Sequence, residues 1–323
     1  MDNSSVWYDY FLRALYEKYP KKAQLTEALM DLLLLEREAV YRRLRKEVTF
    51  SVYDIAKIAN AWNISIDNIF NIISEESSLF RMNVFSFNNP LEKDIKMLEY
   101  YLCVLREIST SDASEHMEIS NILPRSLLGS YPMLSKFYMF KWQYHYGNDG
   151  NTCSFNQFIL PERIHELGIE YSEEVKYITH VSYMWDNQII QRLINDIRYI
   201  ESVYLLSVEE VQFLKQEIYL FLDDMENLST RGEFVETNNK VDLYISQVDI
   251  DTNYCYYYSP VSKICWIKAF VEYMVVSPNK LVCENFRKWM LAQKKFSIPI
   301  SQVNERQRIE FFKRQRDLLK GLS

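Results

Sequence analysis

The sequence predicts a mainly α chain that closes with a small α+β C-terminal region holding an antiparallel sheet. Three observations carry that prediction. Apolar residues recur at helical spacing from the N-terminus to about residue 228. Strand-type residues with period-two alternation dominate only after Lys240. A polar stretch without periodicity, between Ser74 and Pro90, separates the first helices from the rest. At 323 residues the chain also exceeds the ~100–200 residues common for one domain. The expected organisation is a domain at 1–75, a linker at 76–90, an α-helical domain at 91–235, and an α+β domain at 236–323 that dimerises or senses a signal.

Each element has a local reason. Residues 7–19 place Phe11, Leu12, Leu15 and Tyr16 on one helical face, and Pro20 ends the run because it cannot donate the next backbone bond. Short helical patterns follow at 25–33, 36–46, 51–62 and 65–71. Ser51 stands three residues before Asp54, and Ser65 precedes Ile66 and Ile69, so a side-chain oxygen is available to orphan amides at both helix starts. Residues 91–110 align Ile95, Leu98, Leu102 and Leu105 on one face. Further helices are expected at 132–146, 160–167, 183–205 and 207–228. Ser207 and Glu210 have capping-box spacing, and Gly232 follows the last of these helices. Val241, Leu243 and Ile245, then YCYYYS (254–259) and ICWIKAFVEYMVV (264–276), read as three antiparallel strands. A helix at 280–293, a short strand near 298–301 and a helix at 304–320 complete the chain.

Composition excludes several function classes. Six glycines in 323 residues, about 2% against a typical ~7%, leave few positions for phosphate-cradling loops, and neither GxxxxGK[ST] nor GxGxxG occurs. The net charge of −7 gives no whole-chain attraction to nucleic acid or anionic membrane, so any such binding must be local. No basic segment followed by an apolar one opens the sequence, and the longest apolar runs are interrupted by Asp31, Lys268 and Glu272, so neither a secretion signal nor a membrane span is expected. Five dispersed cysteines without a CxxC pair suit a reducing compartment, and a cytoplasmic location follows as an expectation.

The four histidines, His116, His145, His165 and His180, show no i, i+4 or HExxH spacing and no cysteine nearby in sequence; no metal and no cofactor is expected. Cys255 and Cys265, ten apart on adjacent strands, read either as a facing redox pair or as buried free thiols, the commoner case. Tyr254, Tyr256, Tyr257 and Tyr258 fit base stacking on a sheet, but core or interface tyrosines are far commoner. No nucleophile, metal or phosphate motif emerges, so an enzyme is not expected.

The informative stretch is 25–71. A helix of about ten residues, a tight connection and a second helix is the arrangement that presents one helix to the DNA major groove. On the second helix Val40 and Leu44 face inward and Ala39 allows close approach. Glu38, Tyr41, Arg42 and Arg45 then point outward, with Arg37 at the start. Arginine pairs with guanine O6 and N7, and Glu38 accepts from cytosine N4, each discriminating by ~1–3 kcal/mol. Arg43, Arg45 and Lys46 suit phosphates.

The order LTEALMDLLLLEREAVYRRLRKEVTFSVYDIAKIANAWNISIDNIF resembles the five-helix, lambda-repressor-like domain of phage-repressor-type (Cro/CI, XRE) regulators. The landmarks are Ala39-Val40, Leu44, Ile55-Ala56-Ile58-Ala59 and the closing Ile64-Ser65-Ile66-Asp67-Asn68-Ile69-Phe70. The resemblance implies base contacts from Arg37, Glu38, Tyr41 and Arg42 and backbone contacts from Thr26, Arg43 and Arg45. The family's turn glycine is Leu34 here, and Thr26-Glu27 replaces its frequent Gln-Glu pair. The remainder, with KFYMFKWQYHYG (136–147) and QRIEFFKRQRDLL (307–319), resembles large regulators of Bacteroides-type bacteria, which adds no ligand.

The expected function is sequence-specific binding of double-stranded DNA in transcription regulation by helix 36–46. A homodimer is implied, since residues 36–57 carry six basic against four acidic side chains, net +2, too little for tight binding by one copy. A small-molecule or protein effector is compatible with the remaining length. The alternative is a non-enzymatic interaction scaffold with a helical hairpin and a tyrosine-rich docking sheet.

Overall fold

The computed structural model describes residues 4–62, 64, 66, 69, 80–83, 92–146, 153–269 and 273–322. The chain divides into two compact units, Met1–Leu79 and Phe80–Ser323.

In the first unit α1 (Ser4–Lys18), α2 (Lys22–Leu33), α3 (Arg37–Leu44) and α4 (Val52–Trp62) surround one apolar cluster. Helix α1 contributes Tyr8, Phe11, Leu12 and Leu15, the i, i+3, i+4, i+7 stripe that a one-sided helix requires. Leu25 and Leu29 of α2, Val40 and Leu44 of α3, and Ile55 and Ile58 of α4 close the core with Phe50. Ser51 and Asp54 cap α4 reciprocally: the Asp54 amide donates to Ser51 Oγ at 3.1 Å and the Ser51 amide to Asp54 Oδ2 at 3.0 Å. The helix expected at 65–71 and most of the linker at 76–90 lie outside the described residues.

The second unit is built on one eight-stranded sheet, in the order β1-β7-β6-β5-β2-β3-β4-β8. Its strands are β1 (Arg81–Asn83), β2 (Glu115–Ser120), β3 (His180–Trp185), β4 (Lys240–Ser246), β5 (Tyr254–Tyr258), β6 (Lys263–Ala269), β7 (Tyr273–Ser277) and β8 (Ser297–Pro299). The central β2, β3 and β4 run parallel, while β5, β6, β7, β1 and β8 add antiparallel neighbours. Of the three antiparallel strands expected in 236–323, the first is β4, which runs parallel to β3 in the core, and the last is two strands, β6 and β7, so the antiparallel part is the β5-β6-β7-β1 flank of a mixed sheet. Two of its strands, and a third within the stretch read as linker, come from segments read as helical or irregular. Residues 91–235 and 236–323 share that sheet, so they are not two separate domains.

The physical reason lies in burial. Strands β2 and β3 are buried on both faces: EHMEIS is short and mostly polar because the face opposite Met117 and Ile119 buries His116, Glu118 and Ser120, and HVSYMW is a short run that periodicity alone cannot tell from buried helix. The helix expected over 183–205 is correspondingly a strand through Trp185 followed by a helix from Ile189.

One face of the sheet is covered by α5 (Glu92–Ser109), α6 (Pro132–Tyr146), α7 (Glu162–Val175), α8 (Ile189–Ser202), α9 (Val208–Arg231) and α11 (Glu305–Leu319). The other packs on α10 (Lys280–Gln293), through Met117, Ile119, Met184, Tyr256 and Met290. Ser207 and Glu210 form the capping box of α9, and Gly232 ends it in the left-handed conformation at φ 72°. The terminal helix α11 buries Phe311, Phe312 and Leu319, and its Arg308 donates to the Ile300 carbonyl at 3.0 Å. Among the described residues, no helix is long and apolar enough to cross a membrane.

Candidate nucleic-acid interface

The connection between α2 and α3 is tight because Leu34 takes the left-handed conformation, φ 55° and ψ 45°, that glycine adopts without steric cost. Its side chain stays 85% exposed. The backbone thus makes the turn that the resemblance associates with glycine, at the expense of local strain.

Helix α3 is only Arg37–Leu44, about two turns, with Val40 and Leu44 buried, Glu38 and Arg42 exposed on the opposite side, and Arg37 exposed at the helix start. Tyr8 anchors the C-terminal end of this helix. Its buried hydroxyl donates to the Arg43 carbonyl at 3.2 Å and accepts from the Phe50 amide at 3.1 Å, tying the end of α3 and the segment leading to α4 onto α1. Burial pushes the Tyr8 phenol up from its ordinary value, so it stays a neutral donor.

The eight predicted contact residues divide into three groups. Arg37 projects from the first turn with no side-chain partner among the described residues, and half-buried Tyr41 lies beneath the Lys22 ammonium, 5.3 Å from its ring centre. Glu38, Arg42, Arg45 and Lys46 are exposed but engaged. Arg45 donates to Glu47 and to Glu38, each at 2.7 Å, Arg42 lies 3.5 Å from Glu47, and Lys46 pairs with Asp9. The hydrogen bonds that Arg45 donates to Glu47 and Glu38 push its guanidinium up, and the one to Glu47 holds that carboxyl below its usual range.

Thr26 and Arg43 form the third group and correct the expectation of phosphate contacts. Thr26 is buried inside α2 and its hydroxyl donates to the Lys22 carbonyl at 2.8 Å, because a mid-helix threonine facing a core satisfies itself on the preceding turn. Arg43 turns inward as well. It donates to the Ala39 carbonyl at 3.1 Å, lies 3.8 Å from Asp54 and covers the Phe50 ring at 5.8 Å, so it joins α3 to α4.

Around this face lie exposed apolar side chains, Leu34, Val52 and Tyr53. Chemically the surface offers the Arg37 guanidinium, a carboxylate–guanidinium network that a duplex would have to reorganise, and a phenol. Sequence reasoning found the stripe by its 3.6-residue period. It missed Glu47 and Asp9, whose charges meet the stripe through the turn after α3 and through α1.

Two other readings meet the structure in the second unit. Tyr256 and Tyr257 are buried and Tyr254 packs on Phe286 and Trp289 of α10, so the tyrosine run is core rather than a docking surface. Cys255 and Cys265 sit on opposite faces of the sheet, since Cys265 pairs in register with Tyr256, so they do not face each other. Instead, Cys265 and Cys283 both approach the Ser277 carbonyl, at 3.5 and 3.4 Å.

No family model, no curated protein and no solved structure matches the chain.

Proposed function

We propose that the chain is a DNA-binding transcription regulator that inserts α3 into the major groove. The observation that carries this reading is the outward pair Glu38 and Arg42 on a two-turn helix whose other side, Val40 and Leu44, is anchored in the core, with Arg37 exposed at its first turn. Arg37, Glu38, Tyr41 and Arg42 read base edges, while Arg45 and Lys46 meet phosphates once Glu38, Glu47 and Asp9 release them. Two copies on a two-half-site operator compensate for the modest charge of each.

The test is fluorescence anisotropy of the full chain on duplexes selected from bound genomic fragments. Arg42→Ala is expected to weaken specific binding by ~1–3 kcal/mol. Unchanged affinity removes Arg42 from the reading, and no enrichment of any duplex removes the reading itself.

A second reading, a non-enzymatic scaffold that docks a protein on the helical pair, is favoured by the exposed Leu34, Val52 and Tyr53 and by the acids already engaging Arg42 and Arg45. Salt separates the two. Phosphate binding weakens steeply as salt rises, whereas an apolar contact barely responds.

A further inference from the structure

A polar cluster interrupts the helix-covered face of the central sheet. His116 and Glu118, two apart on β2, point to the same side. Cys255 of β5 is the register partner of Glu118, and Tyr183 of β3 flanks it on the other side. His116 and Cys255 are fully buried and Glu118 is 3% exposed. An isolated buried carboxylate is costly, and the base beside this one is an imidazole, with His116 Nε2 at 3.5 Å.

The ring orientation is defined. His116 Nδ1–H donates to the Tyr256 carbonyl at 3.3 Å, and the ring stacks on Tyr257 at 4.2 Å. That leaves the Nε2 lone pair toward Glu118, and Nε2 has no hydrogen-bond partner among the described residues although it is buried. Glu118 is itself held by the Ser126 hydroxyl, which donates to it at 3.1 Å, and Ser126 contacts the Tyr183 hydroxyl at 3.0 Å. One donor atom from each of His116, Glu118 and Cys255 lies within 4.8 Å of the other two.

We propose that His116, Glu118 and Cys255 bind one divalent transition-metal ion of the zinc class. Nitrogen, oxygen and sulfur donors together are a zinc set, and three protein ligands leave one tetrahedral position open. The carboxylate and the thiolate supply the two negative charges that balance the ion inside an apolar core. A histidine whose second nitrogen donates to a backbone carbonyl, and a carboxylate held by a hydroxyl, are the supports that metal ligands ordinarily carry. Contracting the 4.8 Å limit to the ~3.3–3.8 Å ligand separations of a tetrahedral zinc shell takes side-chain movement of about 1 Å.

Glu118 also borders a largely apolar cavity of about 180 Å³ between α5, α7 and the sheet, lined by Leu102, Tyr171, Tyr257 and Trp266. Of the three ligands Glu118 alone lines this cavity, so an ion entering from it would pass Glu118 first. On binding, the Cys255 thiol exchanges its proton for a metal–sulfur bond and the proton passes to solvent. The proposal is independent of DNA binding by the first unit.

The experiment uses the full chain, stripped with chelator under reducing conditions, and titrates cobalt(II) as the probe. One equivalent is expected, with the visible bands of tetrahedral cobalt, a near-ultraviolet sulfur-to-cobalt charge-transfer band, and displacement by zinc, which such sites prefer. Cys255→Ser and the smaller Cys255→Ala are expected to lose the charge-transfer band, and His116→Gln to weaken binding by tenfold or more. Cys265→Ser combined with Cys283→Ser leaves all signals in place. The wild-type titration stands on its own if a variant fails to fold: uptake below about 0.1 equivalent at cobalt levels that fill ordinary zinc sites overturns the proposal. So does a charge-transfer band that survives in folded Cys255→Ala.

Discussion

Replacing Glu47 by glutamine tests whether the face of α3 is restrained by its own acids. Glu47 touches Arg45 at 2.7 Å and Arg42 at 3.5 Å, so one neutral substitution loosens two guanidinium groups while Glu38 still holds Arg45. The six basic and four acidic side chains of residues 36–57 become six and three, and the local net charge rises from +2 to +3. Each phosphate contact adds about −0.9 to the slope of log affinity against log salt on duplex DNA. One or two newly available arginines should therefore steepen that slope by ~1–2, and each contact is worth a factor of ~3–4 in affinity across a fourfold change in salt.

The assay is anisotropy of the full chain on a random duplex over a salt series, with thermal unfolding as the fold control. The melting midpoint should barely move, since exposed ion pairs contribute little. A slope equal to the parent's, in a variant that melts like the parent, refutes the reasoning: phosphates would not meet this face, and the scaffold reading would take its place.

Two more outcomes rest on the α2–α3 turn and on a half-buried carboxylate of β4. Leu34→Gly relieves ~1–2 kcal/mol of left-handed strain against ~0.4–1 kcal/mol of added unfolded-chain freedom, so the first unit should gain about 0.5–1 kcal/mol, read as a melting midpoint a few degrees higher; a lower midpoint contradicts the positive φ. Asp242 is raised by burial, but the stronger combined pull of His180 Nε2 at 2.8 Å and Lys240 Nζ at 3.2 Å holds its carboxyl below the ordinary 3.8. A depressed folded-state value gives stability that is present above the unfolded value and lost as pH falls through the folded one, so the deficit of Asp242→Asn, about 1–2 kcal/mol at neutral pH, should close in denaturant titrations below about pH 4; a pH-independent deficit contradicts this.

Legibility followed the physics of each segment. Helices with one wet face announced themselves: the stripe of Phe11, Leu12 and Leu15, and the Ser207–Glu210 box with Gly232 behind it, lie where the period and the capping chemistry put them. The central strands were silent: HMEIS alternates Met117 and Ile119 with polar residues that are themselves buried, so it reads as a short polar segment, and HVSYMW is covered on both sides and loses the alternation that marks a half-wet strand. The outward stripe of α3 was readable on its own helix, whereas the burial of Thr26 and the inward turn of Arg43 depend on neighbours distant in sequence. For the same reason the juxtaposition of His116 and Glu118 with Cys255 left no spacing signal, since strand register creates it.

The parallel core has a consequence for the order in which the chain acquires shape. Glu115 must find His180, and His180 must find Lys240, each across a whole crossover, and β5 must return to the far edge of β2 from still further along the chain. The first unit closes through near neighbours along the chain and carries no such delay. Contacts remote in sequence slow folding by orders of magnitude, so the helical head should be complete while the sheet is still searching, and nascent chains would display a finished head on an unfinished body.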